Sequence, residues 1–228
     1  MKRLAAIVLL PCVSGCSGLL HSSAQLDQVY YLRANAAPPA ETARPAMTAS
    51  VHVGRPIAGP GLDSSHIVLL EPNRRMSYYT ASRWPAPLPQ VVEELASQVL
   101  RASGSWSTVQ SSESPFPSDY ILQIRIRRFE ADYSSGGPEP SGGAHGGSAA
   151  PTAHVVLDCT IGRRSGREIV GTFVAEGSSV AAANRLGDVV GAFEDATNRA
   201  LSSVAARAAE AVHDASQKVD NPVPSMNR

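Results

Sequence analysis

The sequence has little cysteine, little aromatic mass and no excess of charge, and each shortage removes a class of protein. Lys and Arg together match Asp and Glu at 20 each, so no basic footprint for nucleic acid is present, nor a polybasic segment near the amino terminus. There is no uninterrupted apolar run of the roughly 20 residues that a membrane-spanning helix requires. No G-x-S-x-G, H-E-x-x-H, Walker loop or C-x-x-C occurs, which removes the local signatures of the common hydrolases, zinc peptidases, nucleotide-binding loops and dithiol oxidoreductases. The six histidines, His21, His52, His66, His145, His154 and His213, form no close-spaced ligand pair. Only His52 and His154 fall on strand-like segments where they could meet in space. No internal repeat of fixed period is visible. No cofactor and no metal is expected, and an enzyme is the least favoured class.

The amino terminus carries the most specific signal. Lys2 and Arg3 form a basic head, residues 4–11 are almost wholly apolar, and Val13-Ser14-Gly15-Cys16 follows. This order is that of an export signal, and its last four residues resemble the lipobox of bacterial lipoproteins. Small residues before the cut let the backbone lie extended in a peptidase, and the Cys16 thiol is the atom that takes a diacylglycerol thioether. Each buried methylene adds about 0.8 kcal/mol, so two or three acyl chains anchor a protein stably. The reading is therefore a signal peptide at 1–15, a lipidated tether at 16–27 and a membrane anchor at Cys16. Ser17, where an Asp favours inner-membrane retention, points to the periplasmic face of the outer membrane. With Cys12 removed and Cys16 acylated, Cys159 has no internal disulfide partner. It alternates in phase with Val155, Leu157 and Ile161 and is read as a small core residue.

The rest predicts one α/β mixed domain over 28–213. It holds a mixed, largely antiparallel sheet of about eight strands with two main helices packed on it. Strands are expected at 28–33, 48–53, 66–70, 76–80, 106–110, 119–129, 153–163 and 168–178, with 66–70 and 76–80 forming a hairpin and the last three a meander. The run 34–45, with three prolines, reads as a loop, and 56–65, with Gly59-Pro60-Gly61, as a turn. The first helix begins near Pro89, presents Val92, Leu95 and Val99 to the core, carries Glu93 and Glu94 in its early turns, and ends at Gly104. Within 119–129, Leu122, Ile124 and Ile126 face one way and Gln123, Arg125 and Arg127 the other. The Gly/Ser-rich stretch 134–150 reads as a flexible loop. A long helix from about 184 to 213 buries Leu186, Val190, Phe193, Thr197, Ala200, Val204 and Ala208, its alanines allowing close approach to a sheet. Residues 214–228 are expected to be a disordered tail. Arg125, Arg127 and Arg128 form a basic stripe, read as a solvated face or as partners of nearby carboxylates.

The order of several segments after the lipobox carries a resemblance. Tyr30-Tyr31-Leu32, Pro56, Gly61-Leu62-Asp63, Ile67-Val68-Leu69 and Ser82-Arg83-Trp84-Pro85-Ala86-Pro87-Leu88, followed by an amphipathic helix, are similar to the PqiC-like ABC-type transport auxiliary lipoproteins. Gly61 stands where that family often has Tyr, and Ser64-Ser65 where it often has Arg-Pro. The resemblance implies a non-catalytic accessory of an MCE-type lipid transport system. Its partners would be an MCE-family periplasmic protein and, through it, an ABC permease and ATPase; self-association into a homo-oligomer is also open. The second function class is an outer-membrane assembly or cell-wall-enzyme regulator lipoprotein. Arg83, Trp84, Pro87 and Leu88 are the candidate docking residues, because proline keeps that segment irregular and Trp and Arg concentrate at interface hot spots. Within it, Trp84 leans toward the core and Arg83 toward the interface.

Overall fold

The computed structural model describes residues 27–35, 47–134 and 150–220. The signal segment 1–15, Cys16, Ser17, the tether up to residue 26, His21, His145, the stretch 135–149 and residues 221–228 lie outside the described residues. So does most of the expected loop at 34–45. In chain order the elements are β1 (Gln28–Val29), β2 (Ser50–Val53), β3 (Ile57–Ala58), β4 (His66–Leu70), β5 (Met76–Arg83), α1 (Leu88–Ala102), β6 (Thr108–Gln110), β7 (Tyr120–Asp132), β8 (Thr152–Arg163), β9 (Glu168–Val180) and α2 (Leu186–Asp220). The strands make one mixed sheet of nine among the described residues.

The spine is β7. On one side it pairs antiparallel with β8, and β8 with β9, giving the expected meander. On its other side three short strands follow one another along its length, all parallel to it: β2 beside Tyr120–Leu122, β3 beside Arg125–Ile126 and β4 beside Ala131–Asp132. Gly54 and Gly59 sit at the breaks, donating N–H groups to the Leu122 and Ile126 carbonyls at 2.9 and 2.8 Å. The segment 56–65 is thus more than a turn, because β3 lies inside it. β4 and β5 form the expected hairpin, β5 running on to Arg83.

Two bulges set which residues reach the core. In β7 the register shifts between Ile126 and Arg128. Leu122, Ile124 and Ile126 face inward before it, Phe129 and Ala131 after it, and all five are buried. A single extra residue inverts side-chain phase, so Arg127 and Arg128 both face outward and the strand outlasts the simple alternation that stops at 129. In β5 the shift falls near Ala81, whose φ is 50°. Met76, Tyr78 and Thr80 are exposed, yet Ser82 and Trp84 are buried.

Both helices cover the same face. α1 starts at Leu88, with Pro89 in its first turn, and the chain leaves it through Gly104 at φ 65°. Glu93 departs from the expected dipole role: it is buried, and its carboxylate accepts the Ser112 N–H at 2.7 Å, tying α1 to the loop before β7. α2 begins at Leu186 and runs to Asp220, through residues assigned from sequence to a disordered tail. No proline interrupts it before Pro222, and the Ser216 hydroxyl donates to the Val212 carbonyl. β1 is only two residues long, not six. After it the chain leaves the sheet and lies along α2, where side chains replace a strand partner: the Arg33 N–H donates to Glu194, the Asn35 N–H to Asn198 Oδ1, and Asn198 Nδ2 to the Arg33 carbonyl.

β9 is an edge strand, a template for unwanted pairing unless its outer groups are occupied. Arg207 Nη1 donates to the Val174 carbonyl at 2.7 Å while its guanidinium lies over the Phe173 ring, and Arg199 donates to the Ser178 carbonyl. The spacings match: eight residues of helix rise about 12 Å, and four residues of strand about 13 Å. The double variant Arg199→Ala/Arg207→Ala is expected to self-associate further than the parent chain as concentration rises. An unchanged sedimentation profile would show that the arginines do not guard the edge.

Candidate docking surface

The segment 82–88 leaves the hairpin and enters α1, pinned from below. The Trp84 N–H donates to the Ser65 carbonyl at 2.7 Å and the Leu88 N–H to the Ser64 carbonyl at 2.9 Å. With the phase reversed near Ala81, Trp84 points inward, 1% exposed, and meets Phe129 and Phe193 edge-on at 6.0 and 5.5 Å; those two rings stack at 5.2 Å. Leu88 is equally buried. Two of the four candidate docking residues, Trp84 and Leu88, are therefore core residues and cannot present a surface. A docking role for them fails because an edge-to-face aromatic cluster, not solvent, surrounds the indole.

Arg83 and Pro87 are on the surface. Arg83 Nε lies 3.5 Å from Asp27 Oδ2, both side chains about half exposed (49% and 53%), a geometry that contributes little to stability. Val29 pairs with Arg83, and further along the same edge strand Tyr78 and, at its far end, Met76 are exposed, with His66, the β4 partner of Arg83, packed 4.9 Å from the Tyr78 ring. Beyond Ser82–Arg83, where β1 pairs, β5 has no strand on its outer side among the described residues. The surface is held from behind by the Tyr79 and Tyr133 hydroxyls, 2.9 Å apart, and by Tyr133 donating to Asn184 Oδ1 at 2.7 Å. Burial, with the Tyr133 hydroxyl, raises the Tyr79 pKa well above the phenolic range, so the Tyr79 hydroxyl keeps its proton at any physiological pH. None of these tyrosine contacts has a sequence signal beyond the grouping of Tyr78 and Tyr79.

The other candidates resolve structurally. Cys159 sits in the core with Val155, Leu157 and Ile161, and burial, reinforced by Asp158, pushes its thiol up to about 12. It is an inert core thiol at neutral pH. His52 and His154 stand on different strands, and among the described residues no group of three His, Cys, Asp or Glu side chains could hold a metal ion. Burial, then the charge of Arg164, lowers the His52 pKa. Two of the three arginines of the basic stripe are paired within the protein, Arg127 with Asp158 (3.1 Å) and Glu176 (3.6 Å) and Arg128 with Glu130 (2.5 Å) and Asp132 (3.3 Å), while Arg125 is exposed to solvent. Burial opposes ionisation of Asp132, but hydrogen bonds from Ser134 outweigh it and the pKa is lowered. The carboxylates needed to neutralise Arg127 and Arg128 thus come from the same sheet face, as the simpler sequence reading held.

An open mixed sheet with both helices on one face defines a small two-layer α/β domain. The sequence profile of the ABC-type transport auxiliary lipoprotein component matches residues 30–209. The chain belongs to that family, as the ordered segments from Tyr30 to Leu88 indicated. Its fold is shared with the protein XCC0632 of Xanthomonas campestris, at TM-score 0.72 and 20% identity, over 83% of this chain and 99% of that one. An uncharacterized protein is similar at TM-score 0.59 and 12% identity, over 80% of this chain and 99% of that one. No curated protein matches the chain. The family is one of lipoproteins and auxiliary transport components, and among the described residues no helix is long and apolar enough to cross a membrane.

Proposed function

We propose that this chain is the non-catalytic accessory of an MCE/ABC-type intermembrane lipid transport system. A lipid on Cys16 anchors it at the periplasmic face of the outer membrane, and it docks the MCE component through the sheet edge around Arg83 and Pro87. The observation that carries the docking assignment is the arrangement of that edge. Arg83 and Pro87 are exposed where an edge strand ends, with Val29 opposite Arg83 and Tyr78 exposed against His66, the β4 partner of Arg83, on a segment whose backbone is tied to Ser64 and Ser65. A rigid scaffold with an aromatic, an arginine and apolar neighbours is the composition of an interface core. Asp27, the first described residue, contacts Arg83, so the tether would enter at the docking edge.

Two measurements test this. Cys16→Ser is expected to abolish acylation and release the chain from the membrane, because a hydroxyl cannot form the thioether; a mature protein starting elsewhere without lipid overturns the anchor. A photo-crosslinker at position 87 of the full chain is expected to capture the MCE protein, and Arg83→Ala to weaken that capture without moving the melting temperature. Capture at the parent level in Arg83→Ala removes Arg83 from the interface. Capture of an outer-membrane assembly component or a peptidoglycan synthase replaces the proposed system with the second function class.

A further inference from the structure

At the end of the sheet where β7 starts, the face not covered by helices holds a depression of about 530 Å³. Gly162 is among the residues that line it, and the apolar lining is Ile121 and Ile169; Ile169 is 67% exposed, an unusual place for an isoleucine on a strand. The rim is the β8–β9 connection, with Arg163, Arg164 and Arg167. That connection is fixed: the Arg164 N–H donates to the Asp119 carbonyl at 2.8 Å, and Gly166 and Arg167 both turn through positive φ. Arg163 is engaged by Glu168 at 3.2 Å. Arg164 and Arg167, unlike Arg127 and Arg128, have no carboxylate within ion-pair distance among the described residues.

Two uncompensated guanidiniums beside an exposed and a half-buried isoleucine match a ligand with one anionic group and an apolar body. Guanidinium forks suit phosphate oxygens. A free phosphate would leave the isoleucines without a role, a neutral lipid would leave the arginines without one, and an acidic peptide would match the charge alone. The chain is in a lipoprotein family, which brings a membrane surface within reach. We propose that this depression binds an anionic phospholipid, its phosphate between Arg164 and Arg167 and its first methylenes against Ile121 and Ile169. The site is separate from the docking edge around Arg83 and goes beyond the transport role proposed above.

The test is a titration of the full chain, in nonionic detergent, with short-chain phosphatidylglycerol, short-chain phosphatidylcholine, inorganic phosphate and a glutamate-rich peptide. Phosphatidylglycerol is expected to bind roughly tenfold or more tightly than the other three, and Arg164→Gln/Arg167→Gln to remove roughly that factor, the loss of charge-assisted hydrogen bonds. Both arginines are exposed, so their replacement is expected to leave melting unchanged. Ile169→Ser is expected to weaken phosphatidylglycerol several-fold and leave phosphate unaffected. Equal binding of the two lipids, parent affinity in the double arginine variant, or phosphate binding as tightly as phosphatidylglycerol each overturns the proposal. Preference for the peptide reassigns the depression to an acidic protein segment and overturns it too. Retained capture from position 87 alongside any of these failures leaves the docking reading standing.

Discussion

Trp84→Ala is expected to lower the melting temperature by roughly 6–20 °C. Truncating a buried Trp costs about 3–5 kcal/mol, and each kcal/mol moves the midpoint of a domain of this size by about 2–4 °C. The indole is 1% exposed and meets both Phe129 and Phe193 edge-on. Its loss opens a void where β5 enters α1 and removes two aromatic contacts, each worth about 0.5–1.5 kcal/mol beyond burial. Trp84→Phe is expected to recover part of the loss, since a smaller ring still packs against the phenylalanine pair. The amount of folded protein should fall, while capture per folded molecule from position 87 stays unchanged. A melting shift below about 2 °C would mean that the indole is not a core element, because even one kcal/mol would move the midpoint that far.

Gly177→Ala is expected to be comparably severe for the opposite reason. A Cβ there would lie 1.9 Å from the Ala196 carbonyl oxygen and 2.8 Å from its carbon. The obstacle is the main chain of α2, which cannot rotate away as a side chain can, so the helix must lift from β9 along its buried alanine stripe. Overpacking typically costs about 1–3 kcal/mol, and a main-chain clash this short places the variant at or above the top of that range. Ala196→Gly should not rescue it, because the carbonyl remains. At Gly171 the nearest atom is the Ala211 Cβ, 2.7 Å from where an alanine Cβ would lie, so Ala211→Gly should rescue Gly171→Ala. Thermal melting of the four variants checks the contrast. Rescue of Gly177→Ala by Ala196→Gly would show that side chains, not backbones, set the approach of α2 to β9.

Much of this architecture is legible along the chain. The core face of β8, Val155, Leu157, Cys159 and Ile161, follows from a two-residue period, because a strand with one face buried displays its exposure in its sequence. The stripe of α2 follows from a 3.6-residue period in the same way. The boundaries moved where local rules met tertiary contacts. β1 is cut short because Glu194 and Asn198 take over its backbone groups, and α2 runs past His213 because nothing in 214–220 breaks it.

The docking segment divides along the same line. That Arg83-Trp84 and Pro87-Leu88 form an irregular, information-rich stretch follows from prolines and side-chain chemistry. Which half faces solvent does not. It depends on the register shift near Ala81, where φ turns positive, and a bulge is selected by the packing of two strands against each other, not by the residue that carries it. The same holds for Arg127 and Arg128, which share the outer face only because the register with β8 slips there. By itself the sequence determined the family, the two helices, the meander and most core positions, since these rest on periodicity and short-range chemistry. The tertiary structure decided the three parallel pairings along β7, the inward turn of Trp84 and the outward pairing of the arginines, since each depends on a neighbour distant in sequence.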